Sequence, residues 1–219
     1  MNKAILIVLA ISVIMTSCGN NGNKAETKDA ETVEVVETNE TQTFKTIKSG
    51  SIVDWRASHL GGMQPRFGKI SVENATFLVN KGQLSNASVV MNMSSLTVDN
   101  FPEGAEEKGK LTGHLISADF FNTEKYPSSK FELTKLESTE GDYNSKVTGN
   151  LTILDVTKSI TFNANVSVTA TEVAIQSEDF SIDRTDWGLS YHVEGSEGVP
   201  VDYLIANDIG FTINVTLTK

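Results

Sequence analysis

From Phe44 onward, apolar and polar residues alternate with a period of two. The pattern is cleanest in three stretches. Ile160, Phe162, Ala164, Val166 and Val168 interleave with Thr161, Asn163, Asn165, Ser167 and Thr169. Ile209, Phe211, Ile213, Val215 and Leu217 interleave with Gly210, Thr212, Asn214, Thr216 and Thr218. Tyr143, Val147, Leu151 and Ile153 interleave with Asn144, Lys146, Thr148, Asn150 and Thr152. Successive side chains of a strand point to opposite faces, so each stretch predicts a strand with one apolar and one wet face. Weaker alternation over 51–60, 66–79, 84–93, 129–136 and 173–182 predicts about eight strands in all, separated by turns such as Asn80-Lys81-Gly82 and Glu140-Gly141-Asp142.

One stretch departs from this pattern. Residues 108–131 begin with Leu111, Leu115 and Ile116 at spacings that share a helical face. They pass through Phe120-Phe121 and a Tyr126-Pro127 turn and re-enter a strand at Phe131. A single helical insertion in an otherwise β chain is placed to cover one end of something. Half-buried strands hide their apolar faces in a sandwich or in a closed barrel. The longest stretches reach nine residues or more, ~30 Å at ~3.3 Å per residue, which favours the barrel. Such a barrel encloses either a packed core or an apolar tube wide enough for one small ligand, and periodicity leaves both open.

Ahead of the alternation the chain reads differently. Lys3 precedes an apolar run over 4–15 and then Thr16-Ser17-Cys18, the layout of a secretory signal. The run is shorter than the ~20 residues that span a bilayer. Cys18 is the only cysteine, so no intramolecular disulfide forms. Its place just after the run resembles a bacterial lipoprotein signal, in which the cysteine carries the lipid anchor. The expected division is a signal peptide over 1–17, a disordered tether over 18–43 and a β-domain over 44–219. Residues 19–43 are rich in Asn, Lys, Glu and Thr and lack aromatic residues, a composition that buries little apolar surface. The expected place is the bacterial cell envelope, lipid-anchored at a membrane and facing the periplasm or held in the outer membrane.

Charge and chemistry narrow the function further. Lys and Arg number 18 against 28 Asp and Glu, a net charge of −10, which argues against nucleic acid and against adhesion to anionic lipid. The three histidines, His59, His114 and His192, fall in no metal-ligand spacing. No nucleophile elbow is present. Asp183-Arg184 stands between Phe180 or Ile182 and Trp187-Gly188, where an arginine either holds an anionic headgroup or clamps a corner. His114 faces either a cavity mouth or a neighbouring loop.

Three blocks carry a resemblance. K-L-x-x-H-L-x-S-x-D-F-F-x-x-E-K-Y-P-x-x-x-F runs from Lys110 to Phe131. Gly149-Asn150-Leu151-Thr152-Ile153 is followed by Val156-Thr157-Lys158 and Ile160-Thr161-Phe162. The third block is Phe180-Ser181-Ile182-Asp183-Arg184-Thr185-Asp186-Trp187-Gly188, and Val53-Asp54-Trp55 matches an opening V-x-W. In this order and spacing they resemble the YceI-like family of secreted lipid-binding barrels. The resemblance implies an all-β fold, an extended eight-stranded antiparallel lipocalin-like barrel with one short helical insertion. It implies a non-enzymatic protein that binds, sequesters or transports a long apolar ligand: a polyisoprenoid, an isoprenoid quinone or a fatty amide. No catalytic residue, metal or cofactor is implied beyond that ligand. The residues expected to face the ligand are Trp55, His114, Leu115, Phe120, Phe121, Phe131, Leu133, Leu151, Phe162, Arg184 and Phe211. The alternative is a structural or partner-binding envelope lipoprotein whose barrel is filled.

Overall fold

The structure, a computed structural model, describes residues 23–35 and 37–219. In chain order the strands are β1 (Asn23–Lys24), β2 (Glu26–Asp29), β3 (Gln42–Phe44), β4 (Thr46–Ile47), β5 (Ile52–Ala57), β6 (Arg66–Asn80) and β7 (Gln83–Asn92). After helix α1 (Glu106–Ile116) come β8 (Ser128–Ser138), β9 (Ser145–Ile153), β10 (Val156–Val168), β11 (Glu172–Ser177), β12 (Phe180–Asp183) and β13 (Asp208–Thr218). Eight of them close a ring. From β5 through β11 each pairs antiparallel with the next, β11 pairs with β13, and β13 returns to β5. The fold is a closed antiparallel barrel with, among the described residues, one α-helix, as the alternation and the resemblance lead one to expect. Register shifts in β6 and β8 mark bulges, which let long strands coil around a barrel.

The faces follow the alternation. Phe162 and Val215 are buried, Val166 and Phe211 are half-buried against the core, and Asn165 and Asn214 are exposed. One end of the barrel is filled. Phe44, Val79, Leu84, Val173 and Leu217 are each at most 5% exposed there. β3 and β4 lie across that end between β6 and β13, and they deliver Phe44 as a plug.

Two expectations are corrected. The stretch 173–182 is not one strand but two, β11 and β12, parted at Glu178-Asp179. Buried Glu178 takes over the edge of β10. Its amide donates to Asn163 O at 2.9 Å, and its Oε1 accepts from Asn163 N at 2.7 Å. Beyond this point β12 stays on β13 while the first half of β10 turns away, leaving a seam in the wall.

The second correction follows from the first. The tether expected over 18–43 is ordered over 23–29, where it fills the seam. β1 runs parallel to β12, and β2 runs antiparallel to β10, pairing Glu26 with Thr161 and Asp29 with Lys158. Polar composition does not prevent this, because backbone N–H and C=O groups of two open edges take any extended chain. Only Ala25 is buried. Further on, Glu31 and the Asn150 side chain exchange backbone hydrogen bonds of 2.9 and 2.6 Å, and residues 42–43 belong to β3. The signal segment and Cys18 lie outside the described residues.

Candidate functional site

The unfilled end of the barrel holds a cavity of about 320 Å³. It opens where β5, β7, β9 and β12 finish. Its deep wall is aliphatic, with Val147, Ile175 and Val215 above the packed end. Its middle carries an aromatic belt. Phe131 lies 5.8 Å from Phe162, which stacks on Phe180 at 4.6 Å and 3°, and Phe180 lies 6.1 Å from Phe211. The belt links β8, β10, β12 and β13, and it bridges the seam from the inside. Phe131 reaches this place because β9 has a glycine, Gly149, diagonal to it, opposite Leu133. A Cβ on Gly149 would stand 2.3 Å from the Phe131 ring.

The helical insertion covers the mouth. Leu111 and Leu115 of α1 line the cavity, and so does His114 between them. Beyond the helix the chain doubles back, with Phe121 N donating to Leu115 O at 3.0 Å and Thr123 N to Ile116 O at 3.0 Å. This tight return carries Phe120 and Phe121 under the helix, where both are buried and line the cavity. Trp55 lines the opposite wall, and its indole N–H donates to Thr97 O at 3.0 Å. Thr97 approaches that closely because Gly68 leaves room: a Cβ there would stand 1.9 Å from the same oxygen.

Arg184 is fully buried at the mouth and carries no ligand-facing fork. Its Nε donates to Ala206 O at 3.1 Å, Nη1 to Leu189 O at 2.6 Å and Nη2 to Ile205 O at 3.1 Å. The guanidinium also lies 5.6 Å over the Phe120 ring. Burial lowers its pKa, and Asp183 and Glu194 pull the other way. An arginine remains charged regardless. The arrangement is the corner clamp, holding the loop 189–206 against the barrel. His114 meets Tyr191 edge-on at 4.6 Å, and its Nε2 lies 3.8 Å from Asp119 Oδ2 without a hydrogen bond.

Of the residues expected to face the ligand, Trp55, His114, Leu115, Phe120, Phe121, Phe131, Leu151, Phe162, Arg184 and Phe211 line the cavity. Leu133 does not: it points inward but is buried in the packed part of the core. Sequence reasoning missed Phe180, although it opens the third block and continues the belt. It also missed Tyr191, His192 and Tyr203, which lie on a loop with no periodicity. There the rings clasp backbone: His59 Nδ1 donates to Asp202 O at 2.6 Å, and His192 Nδ1 to Tyr203 O at 3.2 Å. Among the described residues, no group of three or more His, Cys, Asp and Glu is placed to hold a metal ion. What this lining does chemically is to remove hydrocarbon from water.

Comparison with known proteins agrees with this geometry. The pattern of the YceI-like domain matches residues 24–217. A UPF0312 protein of Pseudomonas putida is 37% identical over 118 residues, 52% of this chain and 55% of that protein. Protein YceI of Escherichia coli is 31% identical over 116 residues, 53% of this chain and 56% of that protein. The matched stretch thus spans about half the length of these relatives. Among solved structures, a polyisoprenoid binding domain from Saccharophagus degradans, implicated in plant cell wall breakdown, superposes with a TM-score of 0.56 at 14% identity, covering 81% of this chain and 99% of that one. Burkholderia cenocepacia BcnA gives 0.55 at 16% identity, covering 77% and 96%.

Proposed function

The chain belongs to the YceI-like family, and from that premise we propose that its barrel binds, sequesters or carries one long apolar molecule without turning it over. The observation that carries the reading is the cavity: open at one end, walled by aliphatic and aromatic side chains, and stopped by a packed plug at the other. Each methylene moved from water into such a lining contributes about 0.8 kcal/mol. Ten of them give roughly 8 kcal/mol, the size of a micromolar affinity before the entropic cost of binding is subtracted. Arg184, His59 and His192 at the mouth are already paired with backbone, so the body of the ligand supplies most of the attraction. Polyisoprenoids have this chemistry, and they are the class for which the Saccharophagus degradans domain is described. Isoprenoid quinones and fatty amides share it. The reading includes lipidation of Cys18 and a place on the bacterial cell envelope.

The test is organic extraction and native mass spectrometry of protein purified from its own cells. An apolar molecule of one defined mass, bound one to one, is the expected result. Protein that emerges empty and also fails to bind a fluorescent fatty-acid probe overturns the proposal and leaves the filled-barrel lipoprotein in its place.

A further inference from the structure

Large apolar side chains exposed to water are few on this molecule, and they are not scattered. Among the described residues they are Val35, Met63, Phe67, Ile116, Val201 and Tyr203. All but Val35 lie at the open end of the barrel: Met63 and Phe67 flank the start of β6, Ile116 ends α1, and Val201 and Tyr203 share one helical turn. Scattered exposed apolar residues need no explanation, but a cluster round one feature does.

Two loops carry the most prominent part of the cluster and are fastened together. Leu60 N donates to Leu204 O at 2.8 Å, and Ala206 N donates to Ser58 O at 3.1 Å. His59 bridges to Ile205 and also donates to Asp202 O. The joined loops therefore present Met63, 44% exposed, and Val201, 63% exposed, as one rim. Neither side chain lines the cavity, so the ligand does not account for them. Tyr203 is 61% exposed and also reaches the cavity. An amphipathic ring at such a border suits the headgroup level of a membrane.

We propose that this rim is a membrane-docking surface. It lays the cavity mouth on a bilayer of zwitterionic lipid, so that the apolar ligand passes between membrane and barrel without crossing water. The proposal rests on the reading of the cavity as a site for a membrane-resident chain. Charge selects the kind of bilayer. Glu194, Glu197 and Asp202 are exposed on the same loop as Val201. Arg66, the cation nearest in sequence to Met63, is turned onto the Phe101 ring at 5.1 Å. With a net charge of −10 on the chain, an anionic surface repels this rim. Among the described residues no helix is long and apolar enough to cross a membrane.

The experiment uses the chain from Gly19 onward, which keeps every described residue and removes Cys18. Co-sedimentation with phosphatidylcholine vesicles is measured for this protein and for Met63→Asp/Val201→Asp. The parent partitions onto the vesicles, and the double variant loses on the order of tenfold or more of that partitioning. Replacing half the lipid by phosphatidylglycerol weakens the parent. Both proteins bind a monomeric fluorescent fatty-acid probe equally, since neither substituted residue touches the cavity. Failure of the parent to take up the probe sinks the ligand reading and not the docking measurement. A parent that ignores phosphatidylcholine vesicles, or a double variant that sediments as well as the parent, overturns the docking proposal. So does a parent that binds native membranes but not protein-free vesicles, which assigns the rim to a protein partner.

Discussion

At the scale of single residues, the motif positions are explained by what stands over them. Gly149 is glycine because the Phe131 ring occupies the space of its Cβ. Gly68 is glycine because Thr97 O does the same, and that oxygen is held by the Trp55 indole. Gly149→Ala should therefore push Phe131 into the cavity. The expected cost is about 1–3 kcal/mol of stability, as for other overpacked sites, together with weaker uptake of a fatty-acid probe. Unchanged melting and unchanged uptake would show that the ring does not rest there. Residue types in the motifs were legible in the sequence, but some roles were not. Arg184 beside aromatics suits a headgroup clamp as well as a corner clamp, and the corner clamp is the favoured reading. Its partners Leu189, Ile205 and Ala206 decide the matter, and they lie on a loop that no pattern announces. Cys18 belongs to the same scale. In the Met63→Asp/Val201→Asp background, where the rim no longer holds a bilayer, Cys18→Ser should leave the protein in the soluble fraction after a high-salt wash, and sedimentation with membranes would remove the anchor from the account.

At the scale of elements, the eight main strands could be read from period two, because burial on one face and water on the other write themselves into side-chain type. The segment 23–29 could not. It is held by backbone pairing and by a small ion cluster, neither of which requires apolar residues. Lys24 Nζ lies 3.3 Å from Asp183 Oδ2 and 2.7 Å from Asp208 Oδ1. Burial alone would raise the Asp183 pKa, but hydrogen bonds from Thr185 and the charge of Lys24 outweigh it, and the net direction is down. Burial likewise opposes protonation of Lys24, and the two carboxylates outweigh it, so its pKa is up. The sign for Asp183 is then fixed. Its contribution is complete above the unfolded carboxylate value, about 3.9, and fades as pH falls through the lower folded value. For Lys24 the contribution is complete below about 10.4 and fades as pH rises through the higher folded value. Hydrogen exchange at 159, 161 and 181 should thus be constant from about pH 5 to 9, once intrinsic rates are removed, and should quicken in stronger acid. Beginning the chain at residue 30 leaves two strand edges bare. It should expose those same amides at neutral pH and promote association of copies. Protection as strong in the shortened chain as in the full one would mean that 23–29 is not a wall strand.

At the scale of the whole molecule, the barrel is divided into a packed half and an open half. The sequence did not reveal where the division falls, because the same alternation runs the length of each strand. Ala164 and Val89 both point inward, yet Ala164 is fully buried away from the cavity, whereas Val89 lines it. The same added bulk should therefore act in opposite ways. Ala164→Phe drives a ring into filled space and should cost about 1–3 kcal/mol, with the open half still able to take up a probe. Val89→Phe places its ring in the cavity. It should abolish most probe binding while moving the melting temperature little, since the ring displaces no packed neighbour. Thermal melts and probe titrations on the two variants read the division directly. If both variants are destabilised alike and neither changes uptake, the interior is filled throughout, and a carrier with no room for cargo is not a carrier.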